Sequence, residues 1–445
     1  DLLDKLKKSL SKRNTGVPSR FLYDASIPKD FLKYLRNCIR LNKDDLIPGG
    51  RYHNYNDFFS FPNLNGKELE NEPMLPLRNN ILEKHSSIFQ AIIKQDILLH
   101  FPYQDYNYVI KFINEAANDP YVKSIYITLY RVAAGSQIIK ALSNASANGK
   151  KVTAFVEVKA RFDEESNFSS AEELQRAGVK VLYSFPGLKV HSKICLVSRT
   201  ENDLKVYYGY FSTGNFNEKT AKIYSDYGLF TKDERLTKEA RKVFDVLTKK
   251  KEKENFEHLL VAPFNLRSSW DELINNEIEN AKAGKKAYII LKINSLEDKK
   301  MIKHLYKASE AGVKINLIIR GICCLIPDKN FKIISIVDRF LEHSRVFIFC
   351  NDGNERMFVS SADWMTRNLN RRIEICFPVY DEEIKKQIRE MINIQLKDNV
   401  KTRIINKFQN NKYRKTNSSK KIRAQYEVYE YLKNINSEEP IININ

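Results

Sequence analysis

Two histidines in this chain are each followed, two residues on, by a cation: His191-Ser192-Lys193 and His343-Ser344-Arg345. Each is then followed by a small-residue turn that delivers an amide or an acid, Asn215 in STGNFN and Asp363 in SSADWM. Eleven residues beyond each of those stands a carboxylate, Asp226 in one case and Glu374 in the other. A four-part pattern repeated in the same order is not a chance arrangement. Imidazole acts as a nucleophile or general acid-base near neutral pH. A nearby cation stabilises phosphoryl oxygens by charge-assisted hydrogen bonds. A carboxylate against the second ring nitrogen fixes the tautomer, the role expected of Asp226 and Glu374. Residues i and i+2 of a strand share a face, so each histidine is expected on a strand beside Lys193 or Arg345. Nucleophile, cation and orienter together predict a site that handles phosphoryl groups. Of the remaining histidines, His100 lies in the apolar run ILLHFPY and reads as packed, whereas His53, His85, His258 and His304 read as surface residues.

The elements that must position these residues form a strand-helix rhythm from Asp119 onward. VKSIYITLYRV predicts a buried strand, SQIIKALSNASANG a helix ending on Gly149, and KVTAFVEVKARF a second strand. SNFSSAEELQRAG adds a helix with a Ser-x-x-Glu start, followed by strands over VKVLYSF and KVHSKICLV. After the lysine-rich run KKKEKEN at 249–255 the rhythm restarts, with Leu129 matching Leu291 and Gly149 matching Gly312. Two copies of one α/β fold are expected. The predicted division is the tail of an incomplete domain at 1–80, a first α/β copy at 81–250 and a second at 251–445. Arg131, Arg161 and Arg320 end predicted strands, where α/β folds deliver side chains to ligands.

The chain has 445 residues, 42% of them hydrophobic and 29% charged, which is the composition of a globular protein of two or three domains. Its net charge of +19 calls for an anionic partner: nucleic acid, a membrane surface or a polyphosphate. Six cysteines without a C-x-x-C pair suit a reduced, cytoplasmic compartment. No apolar run is long enough to span a membrane, and the opening DLLDKLKKSLSKR is charged rather than signal-like. A first residue of Asp1 suggests a piece of a longer parent. There is no G-x-x-x-x-G-K-S/T loop to cradle a nucleotide.

Two half-sites that each contribute a histidine resemble the phospholipase D superfamily. That family's motif has an aspartate seven residues after the histidine, where this chain has Ser198 and Cys350. From Asp96 to about Leu396 the resemblance is closer to polyphosphate kinase. DILLHFPYQDY, ITLYR, VEVKARFDEE, GLKVHSK, STGNFN, YSDYGLF, NSLED, IIRGIC, RFLEHSR, SADWM and RNLNRRIE look like that family's segments in the family's order. The resemblance makes 1–80 the end of a helical domain and the copies at 81–250 and 251–445 two tandem phospholipase D-like α/β catalytic domains, and it implies reversible transfer of the ATP γ-phosphate to polyphosphate. It puts the phosphoryl-carrying role on His191 and a second catalytic, nucleotide-contacting role on His343. Tyr224 and Arg320 match the family's ATP contacts. Arg131 and Arg161 match its Mg²⁺-phosphate site and are expected to act as phosphate clamps, since guanidinium has donors and no acceptor. Mg²⁺, ATP/ADP and polyphosphate are the implied cofactor and partners, and nucleic acid is the lesser expectation. A homo-oligomer in the cytoplasm is implied, with room for peripheral membrane association. The competing readings are a phosphodiesterase or nuclease of the wider superfamily and a non-catalytic polyanion-binding protein.

Overall fold

A computed structural model describes residues 18, 20–64, 66–133, 135–157, 164–183, 187–249, 254–415 and 417–437. The chain divides into two compact units, Asp1–Pro73 and Met74–Asn445. In the first, the strands Phe21–Asp24 and Leu46–Gly49 pair in parallel around the helix Lys29–Ile39. The helix stops where Arg40 turns left-handed at φ 58°. The Asn- and Gly-rich stretch after it carries two short 3₁₀ turns, Tyr55–Ser60 and Gly66–Leu69.

The second unit is built on two sheets. The first runs in the order Leu341–Glu342, Tyr224–Thr231, Leu204–Ser212, Ile194–Glu201, Val122–Leu129, Lys151–Val156, Lys180–Tyr183, with Ile97–Phe101 also paired to Tyr224–Thr231. The second runs Leu260–Ala262, Arg372–Pro378, Arg356–Ser360, Arg345–Phe349, Tyr288–Ile293, Lys314–Ile319, Phe331–Ile336, Thr402–Ile404, with Lys189–Val190 paired to Arg372–Pro378. Their inner faces share one core, in which Leu196, Phe211 and Leu229 of the first sheet meet Ile290, Ile348 and Phe377 of the second. Outside the second sheet, the alternate residues Phe347 and Phe349 pack on Trp270 of the helix Leu266–Lys282. Burial on both faces explains why these strands read as continuous apolar runs without alternation.

Strand register corrects one detail of the expected duplication. Ile127 pairs with Cys195, and Leu291 pairs with Phe347, and both of those partners lie four residues after their histidine. Leu129 therefore corresponds to Ile293, two residues from the expected Leu291. A two-residue slip keeps every side chain on its own face, so the apolar pattern cannot detect it. The histidine strands are also not continuous. Lys189–Val190 ends just before His191 and the next strand starts at Ile194, while Leu341–Glu342 ends before His343 and the next starts at Arg345.

Candidate active site

Those breaks arise because each short strand leaves its own sheet and joins the other. Lys189–Val190 pairs in parallel with Arg372–Ile373, and Leu341–Glu342 pairs in parallel with Tyr224–Ser225. The backbone amides of His191 and Ser192 both donate to Ile373 O, at 2.9 and 3.0 Å. Those of His343 and Ser344 donate to Ser225 O at 3.1 and 2.8 Å. Each histidine is thereby carried to the strand that bears the other copy's carboxylate. His191 Nδ1 lies 2.9 Å from both oxygens of Glu374, and His343 Nδ1 lies 2.8 and 2.9 Å from those of Asp226. The tautomer-fixing carboxylates are exchanged between the copies.

The carboxylates are themselves fixed by a repeated set of hydroxyls. Thr213 Oγ1 donates to Asp226 and accepts from the amide of Tyr227, while Ser361 Oγ donates to Glu374 and accepts from the amide of Ile375. Glu374 also accepts from Asn368 Nδ2 at 2.6 Å. A carboxylate held from behind can hold an imidazole in front with its Nδ1 protonated, leaving Nε2 as the reactive nitrogen.

Both imidazoles are kept neutral. Burial, together with the positive field of Lys193, Arg372 and Arg345, pushes His191 well below its usual range. Burial outweighs Asp226 and brings His343 down to about 4. Arg345 acts electrostatically on His191 and Lys193 on His343, so the two half-sites act on each other. Burial raises Glu374, against the pull of Lys193 and Arg372. Asp226 is raised by burial but lowered more by His343, Thr213 and Arg345, so it stays ionised.

The two cations differ. Lys193 is buried, and its ammonium turns back to donate to the His191 carbonyl. Arg345 donates to the His343 carbonyl at 2.7 Å, clamps Asp363 through Nε and Nη2 at 3.3 and 3.1 Å, and places Nη1 3.3 Å from His343 Nε2. Among the described residues, no donor faces His191 Nε2 in this way. Asn215, the counterpart of Asp363, has a buried Oδ1 with no partner among the described residues.

Of the other expected site residues, the Tyr224 ring lies 5.2 Å from the His343 ring. Arg320 sits on the same side, its Nε donating to Glu342 O at 2.5 Å and Asn294 Oδ1 at 3.2 Å. Arg131 lies two residues past the end of its strand, its guanidinium 5.9 Å from the Tyr130 ring. That ring stands edge-on to His191 at 4.6 Å. Arg161 lies outside the described residues. His100 is packed as expected, with Nδ1 on Asp226 O and its ring on Tyr227. Ser198 and Cys350 are buried away from acid chemistry, Ser198 against Ser124 at 2.7 Å.

Sequence reading missed Tyr130 and Arg372. Arg372 is 3.9 Å from Glu374 and adds to the positive field on His191. It stands two residues before Glu374, as Tyr224 stands two residues before Asp226, so extending the repeated pattern backward by two would have found it. Among the described residues no group of three or more His, Cys, Asp or Glu side chains could hold a metal ion, and Asp226 and Glu374 are both engaged by histidines.

Comparison with known proteins agrees with this geometry. Residues 1–61 match the model of the polyphosphate kinase middle domain, 87–253 that of C-terminal domain 1 and 259–425 that of C-terminal domain 2. A polyphosphate kinase of Vibrio parahaemolyticus is 47% identical over 440 residues, covering 98% of this chain and 63% of that protein. The crystal structure of polyphosphate kinase from Porphyromonas gingivalis superposes with a TM-score of 0.87 at 42% identity, covering 95% of this chain and 65% of that one. Phosphatidylserine synthase of Haemophilus influenzae shares the fold alone, with a TM-score of 0.50 at 10% identity over 70% of this chain and 87% of that one. The chain thus spans just under two thirds of the relatives it matches. Two tandem α/β domains, a duplicated histidine site and agreement along nearly the whole length establish that this chain belongs to the polyphosphate kinase family.

Proposed function

We propose that the chain catalyses reversible transfer of the ATP γ-phosphate to polyphosphate through a phosphohistidine at His191. The lone pair of neutral His191 Nε2 attacks the γ-phosphorus in line, the bond to the bridging oxygen breaks, and ADP leaves with that electron pair. Glu374, on Nδ1–H, stabilises the imidazolium character that develops. A terminal oxygen of polyphosphate then takes the phosphoryl group, breaking the N–P bond and restoring the neutral imidazole. One anhydride replaces another, which makes the step reversible. His343, Arg345 and Arg372 stabilise the transferring group, Tyr224 and Arg320 contact the nucleotide, and Arg131 and Arg161 clamp phosphates. Mg²⁺ belongs to the substrate, carried on the nucleotide phosphates. The reading includes the modules 1–80, 81–250 and 251–445, a cytoplasmic homo-oligomer, and peripheral rather than spanning contact with any membrane. Among the described residues no helix is long and apolar enough to cross one.

The observation that carries the assignment is the difference at Nε2. Arg345 approaches that atom of His343 at 3.3 Å, whereas His191 Nε2 meets no such donor among the described residues. Incubation with γ-labelled ATP should put acid-labile, base-stable label on His191, and polyphosphate should discharge it. Label on His343 alone would reverse the two roles, and absence of label with intact polyphosphate synthesis would exclude the phosphoenzyme.

A further inference from the structure

Between Asp398 and Glu427 the chain holds nine cations and no acid, a concentration well beyond its average. The three arginines of this segment are used by the fold. Arg403 donates to Asn411 O and Tyr413 Oη at 2.7 and 2.8 Å, Arg414 donates to the carbonyls of Leu396 and Asp398, and Arg423 forms a forked pair with Asp338 at 2.6 and 2.8 Å. Lys407, Lys412, Lys415, Lys420 and Lys421 are exposed, and no carboxylate pairs with them among the described residues. The backbone under them is pinned. Arg414 N donates to Thr402 O, Ile404 N to Lys412 O and Asn399 N to Ile422 O, at 2.9 to 3.0 Å. Fixed cations lose less freedom on binding than cations on a loose tail.

The root of this segment is tied to the second half-site. Gln425 Nε2 donates to Phe340 O and to Glu342 Oε1, both at 2.8 Å, and Glu342 is the residue before His343. The Arg423 partner Asp338 lies five residues before that histidine. We infer that the lysine-bearing segment 399–423 is a holding surface for the polyphosphate chain, outside the catalytic site and beside the arm that carries His343. The inference rests on polyphosphate being the substrate. Unpartnered lysines are point charges without directional demands, which suits a ligand recognised by charge alone. Arg403 lies over Tyr413 at 3.9 Å and Lys407 over Phe408 at 5.1 Å, while both rings keep exposed surface, so oligonucleotide binding is one arm of the test.

The test is the full chain with Lys412, Lys415, Lys420 and Lys421 all changed to Gln, compared with the unchanged protein. Direct binding of end-labelled polyphosphate of several hundred units should weaken by about tenfold or more at low salt, and the log-log salt slope should fall by about 3, as for loss of four contacts to a single-stranded polyanion. Labelling by γ-labelled ATP, kcat, and KM for chains of a few phosphates should be unchanged. Equal loss for short and long chains, or unchanged long-chain binding, would overturn the surface. So would a variant that loses oligonucleotide or anionic-vesicle binding while keeping its polyphosphate binding. Because binding is measured without turnover, absence of a phosphoenzyme would count against His191 as nucleophile and leave the holding surface separately decided.

Discussion

The half-sites of His191 and His343 share a frame and differ in charge. In both, a two-residue strand crosses to the opposite sheet, a hydroxyl fixes a carboxylate, and that carboxylate holds Nδ1. Behind His191, Thr128 Oγ1 donates to Ser192 O at 2.8 Å, and the buried carboxylate of Glu157 accepts from the amide of Val190, the residue before the histidine, at 3.1 Å, with no cation at the Thr128 position. Behind His343 the corresponding positions are Lys292 and Glu342, a buried ion pair at 2.7 Å. Lys292 also donates to Ser344, and Gln425 donates to Glu342. In front, Lys193 turns back to the His191 carbonyl and no donor among the described residues meets His191 Nε2, while Arg345 approaches His343 Nε2. Duplication kept the parts that set position. Divergence changed the parts that set charge, which under the proposed mechanism lets two similar histidines serve different steps.

The strongest way to break this comparison is to remove each histidine in turn. His191→Ala should lower both labelling and synthesis by about 10⁴-fold or more, the scale of losing a covalent nucleophile, while His343→Ala retains measurable labelling in a single-turnover assay. Next are the exchanged carboxylates. Glu374→Gln should impair labelling and Asp226→Asn the His343-dependent step, each by roughly 10³- to 10⁴-fold. In a double-mutant cycle, Glu374→Gln should couple to His191→Ala and not to His343→Ala; the opposite coupling would refute the crossover.

Arg131→Lys should lower steady-state synthesis by about 10²- to 10³-fold with an unchanged melting temperature, because lysine lacks the planar fork. Arg161→Lys should behave alike. A matching loss of melting temperature would make these residues structural. Stability should separate the half-sites more than sequence similarity suggests. Glu342→Gln strands the Lys292 ammonium in the interior and should cost about 3 kcal/mol or more in denaturant unfolding. Thr128→Val, which removes the neutral hydrogen bonds to Ser192 O and from the Ile194 amide, should cost about 2 kcal/mol.

The remaining difference to test is in pH dependence. Unfolded His343 takes up a proton below about 6.5, whereas the folded residue resists until about 4. The unfolded state therefore binds more protons in that window, and stability falls as pH drops through it, by up to about 3 kcal/mol in all. His343→Asn should flatten this part of the stability profile; an unchanged slope would show that His343 is not held neutral.

Much of this was legible in the residues. The duplicated His-x-cation, Asn/Asp and carboxylate spacing named the groups that the fold assembles, and the family segments named their order. The strand-helix rhythm marked the main elements because burial on one or both faces leaves an apolar signature. Other features left none. The two-residue slip between Leu129 and Ile293 preserves facing, and Tyr130 looked like any of 23 tyrosines. Lys292 and Glu342 carry no sequence signal of burial, yet the fold buries them together.

The sequence by itself determined which side chains this protein has for phosphoryl chemistry, that they occur twice, and that burial-prone strands would carry them inward. Only the tertiary structure decided which carboxylate serves which histidine and which Nε2 an arginine approaches. The pairing is made by two-residue strands that meet partners far away in the chain, Val190 on Ile373 and Glu342 on Ser225. So short a contact has no periodicity to read, and its register is set by the packing of one sheet against the other.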